Sequence, residues 1–459
     1  MSEQRQKIQL ELAFHGASEG EARTAARQGT ESLMAEGATE SPATERMMEE
    51  ICEAGNLRKA LQQVRENKGA PGVDGMTVNE LAQYFGCHEA ELRKQLLEGT
   101  YRPQPVRRVE IPKPEGEGMR KLGIPCVLDR LVQQALLQVM QRSFDASFSE
   151  HSYGFRPGRS AKQAVTRAQQ IVAAGRSYVV DLDLEKFFDR VNHDRLMAHL
   201  AKRIDDKRVL RLIRAFLNAG VMENGLFEAS YEGTPQGDPL SPLLSNVVLD
   251  ELDKELERRG HQFVRYADDC NIYMASERAG QRVLASIGAF ITRRLKLKVN
   301  AEKSAVGRPW ERKFLGFRIS AGSAPLREIA PQAVGRFKYQ VRQITRRARG
   351  VSIDRVVKDL RPYLLGWGEY FGWCETPWML SDLDKWVRRR LRCYLWVQWH
   401  TPRRRRTRLR GLGVKPGLAA YISWSRGPWR PSGSKTLNFA IRNGYFDRLG
   451  LPRLYARRA

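Results

Sequence analysis

Phe263-Val264-Arg265-Tyr266-Ala267-Asp268-Asp269-Cys270-Asn271-Ile272-Tyr273-Met274 sets apolar flanks around an acidic centre. That pattern predicts a β-hairpin with a carboxylate pair at its turn. Taken alone, Tyr-x-Asp-Asp is a weak signal that a chance surface turn explains more often than not. Eighty-five residues before Asp268, however, Tyr178-Val179-Val180-Asp181-Leu182-Asp183 reads as a short strand ending in another carboxylate. Period-2 geometry puts Asp181 and Asp183 on one face and Val180 and Leu182 on the other. A helix is expected to follow, from Glu185 into Phe187 and Phe188. An Asp at the end of a buried strand is costly unless a cation or hydrogen-bond donors meet it. Two such strands side by side can hold two Mg²⁺ ions roughly 3.5–4 Å apart, the arrangement used for in-line phosphoryl transfer. Mg²⁺ suits the site as a hard cation that takes a few carboxylates plus substrate oxygens.

The 459 residues allow about three folding units. With 42% hydrophobic and 9% aromatic residues, the chain is neither wholly disordered nor a small disulfide-stapled scaffold. Seventy-eight Lys and Arg against 52 Asp and Glu leave a net charge of +26, which points to a polyanionic partner, nucleic acid first. An anionic membrane is the rival, but no run approaches about 18 uninterrupted apolar residues. Cys52, Cys87, Cys126, Cys270, Cys374 and Cys393 form no C-x-x-C pair, which argues against zinc and fits free thiols in a reducing compartment. No targeting signal is legible at the N-terminus, so a cytoplasmic location is expected.

The charge is uneven. Residues 1–50 carry 5 Lys and Arg against 10 Asp and Glu, whereas residues 331–459 carry 29 against 7 and hold eight of the nine tryptophans. Arginine interleaved with planar aromatics suits RNA, because both stack on unpaired bases while the charge neutralises phosphate. Core packing is the competing account of Trp367, Trp373, Trp386, Trp396 and Trp399. The run Arg403-Arg404-Arg405-Arg406 is harder to explain structurally, since adjacent like charges repel unless an anion is present. Residues 1–45 read as an acidic, flexible tail. Helical patterning then runs from near Arg46 through Leu57, Leu61 and Val64 and stops at the turn chemistry of residues 68–75.

Further blocks sharpen the reading. They are Arg108-Val109-Glu110-Ile111-Pro112-Lys113-Pro114, Arg120-Lys121-Leu122-Gly123-Ile124-Pro125, Ser152-Tyr153-Gly154-Phe155-Arg156-Pro157-Gly158-Arg159-Ser160 and Asp183-Leu184-Glu185-Lys186-Phe187-Phe188-Asp189. Gly233-Thr234-Pro235-Gln236-Gly237-Asp238-Pro239-Leu240-Ser241-Pro242 precedes the acidic hairpin, and Leu297-Lys298-Val299-Asn300-Ala301-Glu302-Lys303 and Phe314-Leu315-Gly316-Phe317 follow it. In this order, with Gly366-Trp367-Gly368-Glu369-Tyr370-Phe371 beyond, they resemble a bacterial group II intron reverse transcriptase, or maturase, over roughly residues 30–459. The segment at 68–75 resembles the extra N-terminal block of these enzymes.

The resemblance implies Asp183 and Asp268 as metal ligands, with Asp269 a third carboxylate beside them, and leaves Asp181 structural. Phe188 falls where these enzymes place an aromatic that excludes a ribose 2′-hydroxyl, although an amphipathic core Phe would read the same. Lys113 and Arg120 would close over the incoming triphosphate, where a guanidinium pairs bidentately with phosphate oxygens; an exposed basic loop is their plainer reading. Gln236 would touch nucleotide and template, and Lys303 would neutralise or protonate the departing pyrophosphate. Tyr266 would support the primer terminus. Phe314, Leu315 and Gly316 match the primer grip, as would an apolar core strand. Lys121 and Asp238 depart from the family's usual Pro and Gly, and Asp238 adds a carboxylate near the expected nucleotide.

The expected fold is α+β: a right-hand polymerase of fingers and palm over residues 46–330, its antiparallel sheet backed by helices. A helical thumb or maturase domain with a basic C-terminal segment follows over 331–459. The implied activity is RNA-directed DNA polymerisation with Mg²⁺ (Mn²⁺ as an alternative), joined to splicing of the intron RNA and its copying into DNA during mobility. Implied partners are group II intron RNA, an RNA template with primer, target DNA and dNTPs. Affinity for RNA should be strongly salt-dependent. No C-terminal endonuclease is expected, as in the class C lineage. Two alternatives stand: a domesticated enzyme of defence or repair, and a non-catalytic RNA-binding splicing factor.

Overall fold

Short runs rich in Val, Ile, Leu and Tyr make the strands, and amphipathic runs opened by Ser, Thr, Asn or Asp make many of the helices. The structure is a computed structural model that describes residues 46–455 apart from 113–117, 224–225, 229–231 and 235–236. The tail expected at residues 1–45 lies outside the described residues. The chain divides into two compact units, Met1–Arg312 and Lys313–Ala459. Among the described residues no helix is long and apolar enough to cross a membrane.

The first unit begins with α1 (Met47–Ile51) and α2 (Ala54–Asn67), which stops where Lys68 takes a left-handed φ of 49°. Next come α3 (Val78–Glu98), opened by a Thr77/Glu80 capping box, and the strands β1 (Val106–Pro112) and β2 (Met119–Ile124). Helices α4 (Val127–Asp145) and α5 (Ala161–Ala173) lead to β3 (Tyr178–Leu182). The helix expected from Glu185 is absent. Lys186 sits at a left-handed φ of 49°, and only a single 3₁₀ turn, Phe187–Asp189, follows. The unit continues through α6 (His193–Leu200), α7 (Lys207–Leu217), β4 (Val221–Glu223), β5 (Leu226–Glu228) and α8 (Ser241–Arg258). It ends with β6 (Gln262–Tyr266), β7 (Asp269–Met274), α9 (Glu277–Phe290), a π-turn (Ile291–Leu295) and β8 (Ala305–Gly307).

Two sheets result, ordered β2-β1-β4-β5 and β6-β7-β3-β8. The first is mixed, with β1 and β4 parallel; the second is antiparallel throughout. In the second sheet Leu182 pairs with Cys270 and Asp181 with Asn271. Val180, Leu182, Cys270 and Ile272 thereby join one large core with Leu131 and Leu136 of α4 and Leu244 and Leu249 of α8. Full burial of each such aliphatic side chain is worth about 1.5–3 kcal/mol, so this sheet is firmly seated.

The second unit pairs β9 (Phe317–Ile319) with β10 (Arg327–Ile329) and is otherwise helical. Its longer helices are α10 (Pro331–Ile344), α11 (Ile353–Phe371), α12 (Pro377–Gln398), α13 (Pro402–Gly411) and α14 (Pro416–Ser423). Aromatic packing dominates its core. Phe317 lies 4.4 Å from Trp373 and 5.1 Å from Phe371, and Phe337 lies 4.5 Å from Trp367, ring centre to ring centre. Trp396 is fully buried, whereas Trp378, Trp424 and Trp429 are 63%, 68% and 46% exposed. Core packing therefore accounts for some of the tryptophans and not for others.

Asp238, just before α8, turns inward: it is buried and accepts the Ser241 N–H at 2.9 Å. Burial pushes its carboxyl up from an ordinary 3.8 to about 6. Because the folded value exceeds the unfolded one, the ionised form costs stability, most above pH 6 and not at all below the ordinary value. Asn would keep the acceptor without the charge. Asp238→Asn is expected to stabilise the protein by up to about 3 kcal/mol at pH 7.5 and by about half that at pH 5, read from urea unfolding at the two pH values. A gain independent of pH would contradict this account.

Candidate active site

Tyr266 pairs with Asp269, leaving Ala267 and Asp268 as the two-residue tip of the β6–β7 hairpin. Ala267 has a φ of 56°, a left-handed value that such turns normally give to glycine. Without compensation that conformation costs about 1–2 kcal/mol. Arg265 supplies the compensation. Fully buried, it binds the equally buried Asp253 of α8 through Nε (2.7 Å) and Nη2 (2.5 Å), and its Nη1 donates to the Ala267 carbonyl at 2.8 Å. The same Nη1 donates to Asn246 Oδ1 at 3.0 Å, and Asn246 donates to the Gly154 carbonyl at 2.9 Å. A Cβ on Gly154 would collide with the Ala267 backbone nitrogen and sit 2.9 Å from the Tyr266 carbonyl carbon. The segment 151–153 completes the brace through an isolated parallel bridge: Tyr153 N–H donates to the Arg265 carbonyl and Arg265 N–H to the His151 carbonyl, both at 2.9 Å.

Asp183 follows β3 directly, one step beyond the Leu182–Cys270 pair. Its N–H donates to Ser304 Oγ at 2.9 Å, and its carbonyl accepts the Asn300 N–H at 2.9 Å and the Ser304 hydroxyl at 3.2 Å. The turn that makes these bonds carries Lys303, which is exposed. Asp268 is half-buried, and burial raises its carboxyl; the Asp183 charge raises it further, while the charges of Arg120 and Arg265 pull it down. The charges of Asp183 and Arg120 thus both reach Asp268. Asp269 heads β7, and its charge acts, with that of Asp181, on Cys270 and Tyr273. Asp181 faces Arg312 at 3.9 Å.

Among the described residues no group of three or more His, Cys, Asp or Glu side chains is arranged to hold a metal ion. Asp183 and Asp268 offer the oxygen ligands that a hard cation takes, and their mutual repulsion is what such a cation would relieve. Asp269, the third carboxylate expected there, heads β7 directly after Asp268.

Phe188 lies half-buried against the core, its ring 5.2 Å from Phe187 and its carbonyl accepting the Thr234 N–H. Tyr266 is half-buried with its ring 6.5 Å from that of Phe155. Arg120 is exposed on β2, while Lys121 faces Glu110 across the β1–β2 ladder at 4.0 Å. Lys113 and Gln236 lie outside the described residues.

Phe314, Leu315 and Gly316 belong to the second unit, and they form a turn rather than a strand. Phe314 and Phe317 exchange backbone hydrogen bonds of 2.8 and 2.9 Å around Leu315 (φ 51°) and Gly316 (φ 80°). Two successive positive φ values are the mark of a type I′ turn. Arg403, Arg404 and Arg406 are exposed on α13. Arg405 is not: its guanidinium lies 4.7 Å from the Trp396 ring centre and donates to the Ser423 carbonyl. Sequence reasoning missed Arg265, Asp253, Asn246, Ser304 and Asn300; the clue it held was an arginine inside an otherwise apolar strand.

Residues 111–319 match the family described as reverse transcriptase (RNA-dependent DNA polymerase), and residues 334–412 match the group II intron, maturase-specific domain. The chain belongs to the group II intron reverse transcriptase/maturase family. Its fold is accordingly a right-hand reverse transcriptase followed by a helical domain. It is 40% identical over 221 residues to Protein YkfC of Escherichia coli, covering 47% of this chain and 58% of that protein. It is 38% identical over 198 residues to the group II intron-encoded protein LtrA of Lactococcus lactis, covering 42% of this chain and 32% of that one. The matches therefore span less than two thirds of these relatives' length.

The brace has a measurable signature. Arg265→Met leaves Asp253 buried and unpaired, so it is expected to cost about 3–5 kcal/mol in urea unfolding. Adding Asp253→Leu should recover part of that loss, because the second change removes the stranded charge. A single-variant cost below about 1 kcal/mol would mean that the pair does not hold the turn.

Proposed function

We propose that this chain is an RNA-directed DNA polymerase that also binds its intron RNA to assist splicing and copies that RNA into DNA during intron mobility. The observation that carries the reading is the pairing of Asp183 and Asp268 at two strand ends, with the Arg120 charge reaching the same carboxylate. Mg²⁺ bound there would supply the charge that activates a primer 3′-hydroxyl and steadies the triphosphate. The protein's own share is positional. The Asn300–Ser304 turn fixes the Asp183 backbone, and the Arg265 brace fixes the Asp268 turn. Arg120 orients phosphate oxygens, and Lys303 neutralises the departing pyrophosphate. Phe188 disfavours a ribose 2′-hydroxyl.

Intron RNA is the expected partner of the second unit. Exposed Arg403, Arg404 and Arg406, with Trp424 and Tyr421 exposed at 68% and 83%, give it both phosphate-neutralising and base-stacking groups. The non-catalytic splicing-factor reading is disfavoured by the retained carboxylates, since a scaffold gains nothing from a repelling, half-buried pair.

The test is primer extension on an RNA template with Mg²⁺ and dNTPs, comparing wild type with Asp268→Asn. The variant should lose at least about a hundredfold in rate. Because it also removes a carboxyl whose ionisation the fold disfavours, its thermal midpoint without metal should rise, by about 2–4 °C per kcal/mol gained. Wild-type extension should fall on the acid side at a higher pH than an ordinary aspartate would dictate, and more Mg²⁺ should move that limb to lower pH. Extension unchanged in Asp268→Asn would overturn the assignment.

A further inference from the structure

A polar hollow of about 470 Å³ opens on the first unit among α4, α6, α8 and the π-turn. None of the residues assigned to polymerisation lines it. Its walls carry Arg195, Lys202, Arg203, Lys254 and Arg294 with His199, against only two carboxylates, Asp250 and Glu251. Three of these groups already converge on one carboxylate. Arg195 (2.7 Å), Arg294 (2.8 Å) and His199 (3.1 Å) all reach Glu251, while Lys254 pairs with Asp250.

That leaves an excess of cations. Arg203 stacks over the Phe144 ring at 5.1 Å and donates to the Ser147 hydroxyl, and Lys202 is exposed with no carboxylate partner among the described residues. Arg294 stands on the π-turn (Ile291–Leu295) that extends α9, an uncommon element that is frequent at functional sites. Phe148, Ala198 and Val247 contribute apolar lining. A concave site of this volume, with converging cations and an apolar wall, has the dimensions and chemistry of a small-ligand pocket.

We propose that this hollow is a second anion site that takes the phosphate of a ribonucleotide unit. Phosphate carries one to two negative charges and several strong acceptor oxygens, which match the three surplus positive charges. Arg195 and Arg294, oriented by Glu251, offer preset donors, and Lys202 and Arg203 supply the uncompensated charge. The carrier is either an RNA strand or a free ribonucleotide, and both present the same phosphate chemistry. The site rests on the function proposed above only in that RNA is the abundant carrier; it needs no polymerase activity.

The test is lysine-acetylation footprinting of the full chain by mass spectrometry, following Lys202 and Lys254. Probes are inorganic phosphate, adenosine 5′-monophosphate, a short single-stranded RNA and a polyglutamate peptide, in wild type and in Lys202→Glu/Arg203→Glu. Protection of Lys202 by RNA of at least about fivefold, with binding weakened about tenfold or more in the double variant, supports the site; log-linear salt dependence should accompany it. Protection by phosphate and the monophosphate as well identifies a free-nucleotide site, and protection by RNA alone a strand site. No protection by any phosphate probe, or protection by polyglutamate alone, overturns the proposal. Running primer extension on the same samples separates the two readings: extension without protection sinks only this site, and protection without extension sinks only the polymerase.

Discussion

A guanidinium and a carboxylate, both sealed from solvent, underlie the carboxylate turn of this molecule. Arg265 and Asp253 lie twelve residues apart, and their bidentate contact ties the end of β6 to the middle of α8. Desolvating two charges is expensive, and a hydrophobic pair of similar volume would often serve stability as well or better. What the ionic pair adds is direction. The third arm of the guanidinium reaches the Ala267 carbonyl and holds a non-glycine residue in a left-handed turn. Such strain persists only where surrounding structure over-determines it. Here Gly154 and Asn246 close the remaining sides, so Asp268 has little freedom to swing away from Asp183.

The same logic governs Asp183 from the opposite direction. Its backbone is clamped by Ser304 and Asn300 from a turn more than a hundred residues later. One carboxylate is thus fixed through a buried ion pair and the other through main-chain hydrogen bonds. Both side chains are left able to meet a cation. Two repelling acids held near each other without a cation store unfavourable energy that a bound ion would release, which makes the site receptive rather than relaxed.

The strands and their acidic ends were legible because period-2 apolar runs and strand-end carboxylates are local signals. The end of α2 at Lys68 was legible for the same reason. Arg265 was not, since an arginine in sequence reads as a solvated charge until a partner from another element is known. The helix expected after Glu185 failed on one residue, Lys186, whose left-handed φ no propensity announces. For Phe314–Phe317, the plainer alternative to a primer grip was an apolar core strand; both phenylalanines are buried, yet Leu315 and Gly316 between them make a turn. In each miss a tertiary contact or a single backbone angle overrode a correct composition signal.

The arginine run shows how far composition can be trusted. Four consecutive residues on a helix advance 100° each, so they cannot all face one direction. Arg405 takes the inward position and spends its charge on the Trp396 ring, leaving Arg403, Arg404 and Arg406 at the surface. Burying that planar cation over an indole anchors α13 to α12, and the same contact fixes which faces of the helix remain available to phosphate. A block of like charge that looked purely electrostatic is therefore partly a packing device. The orientation of its exposed members follows from the one member that is not exposed.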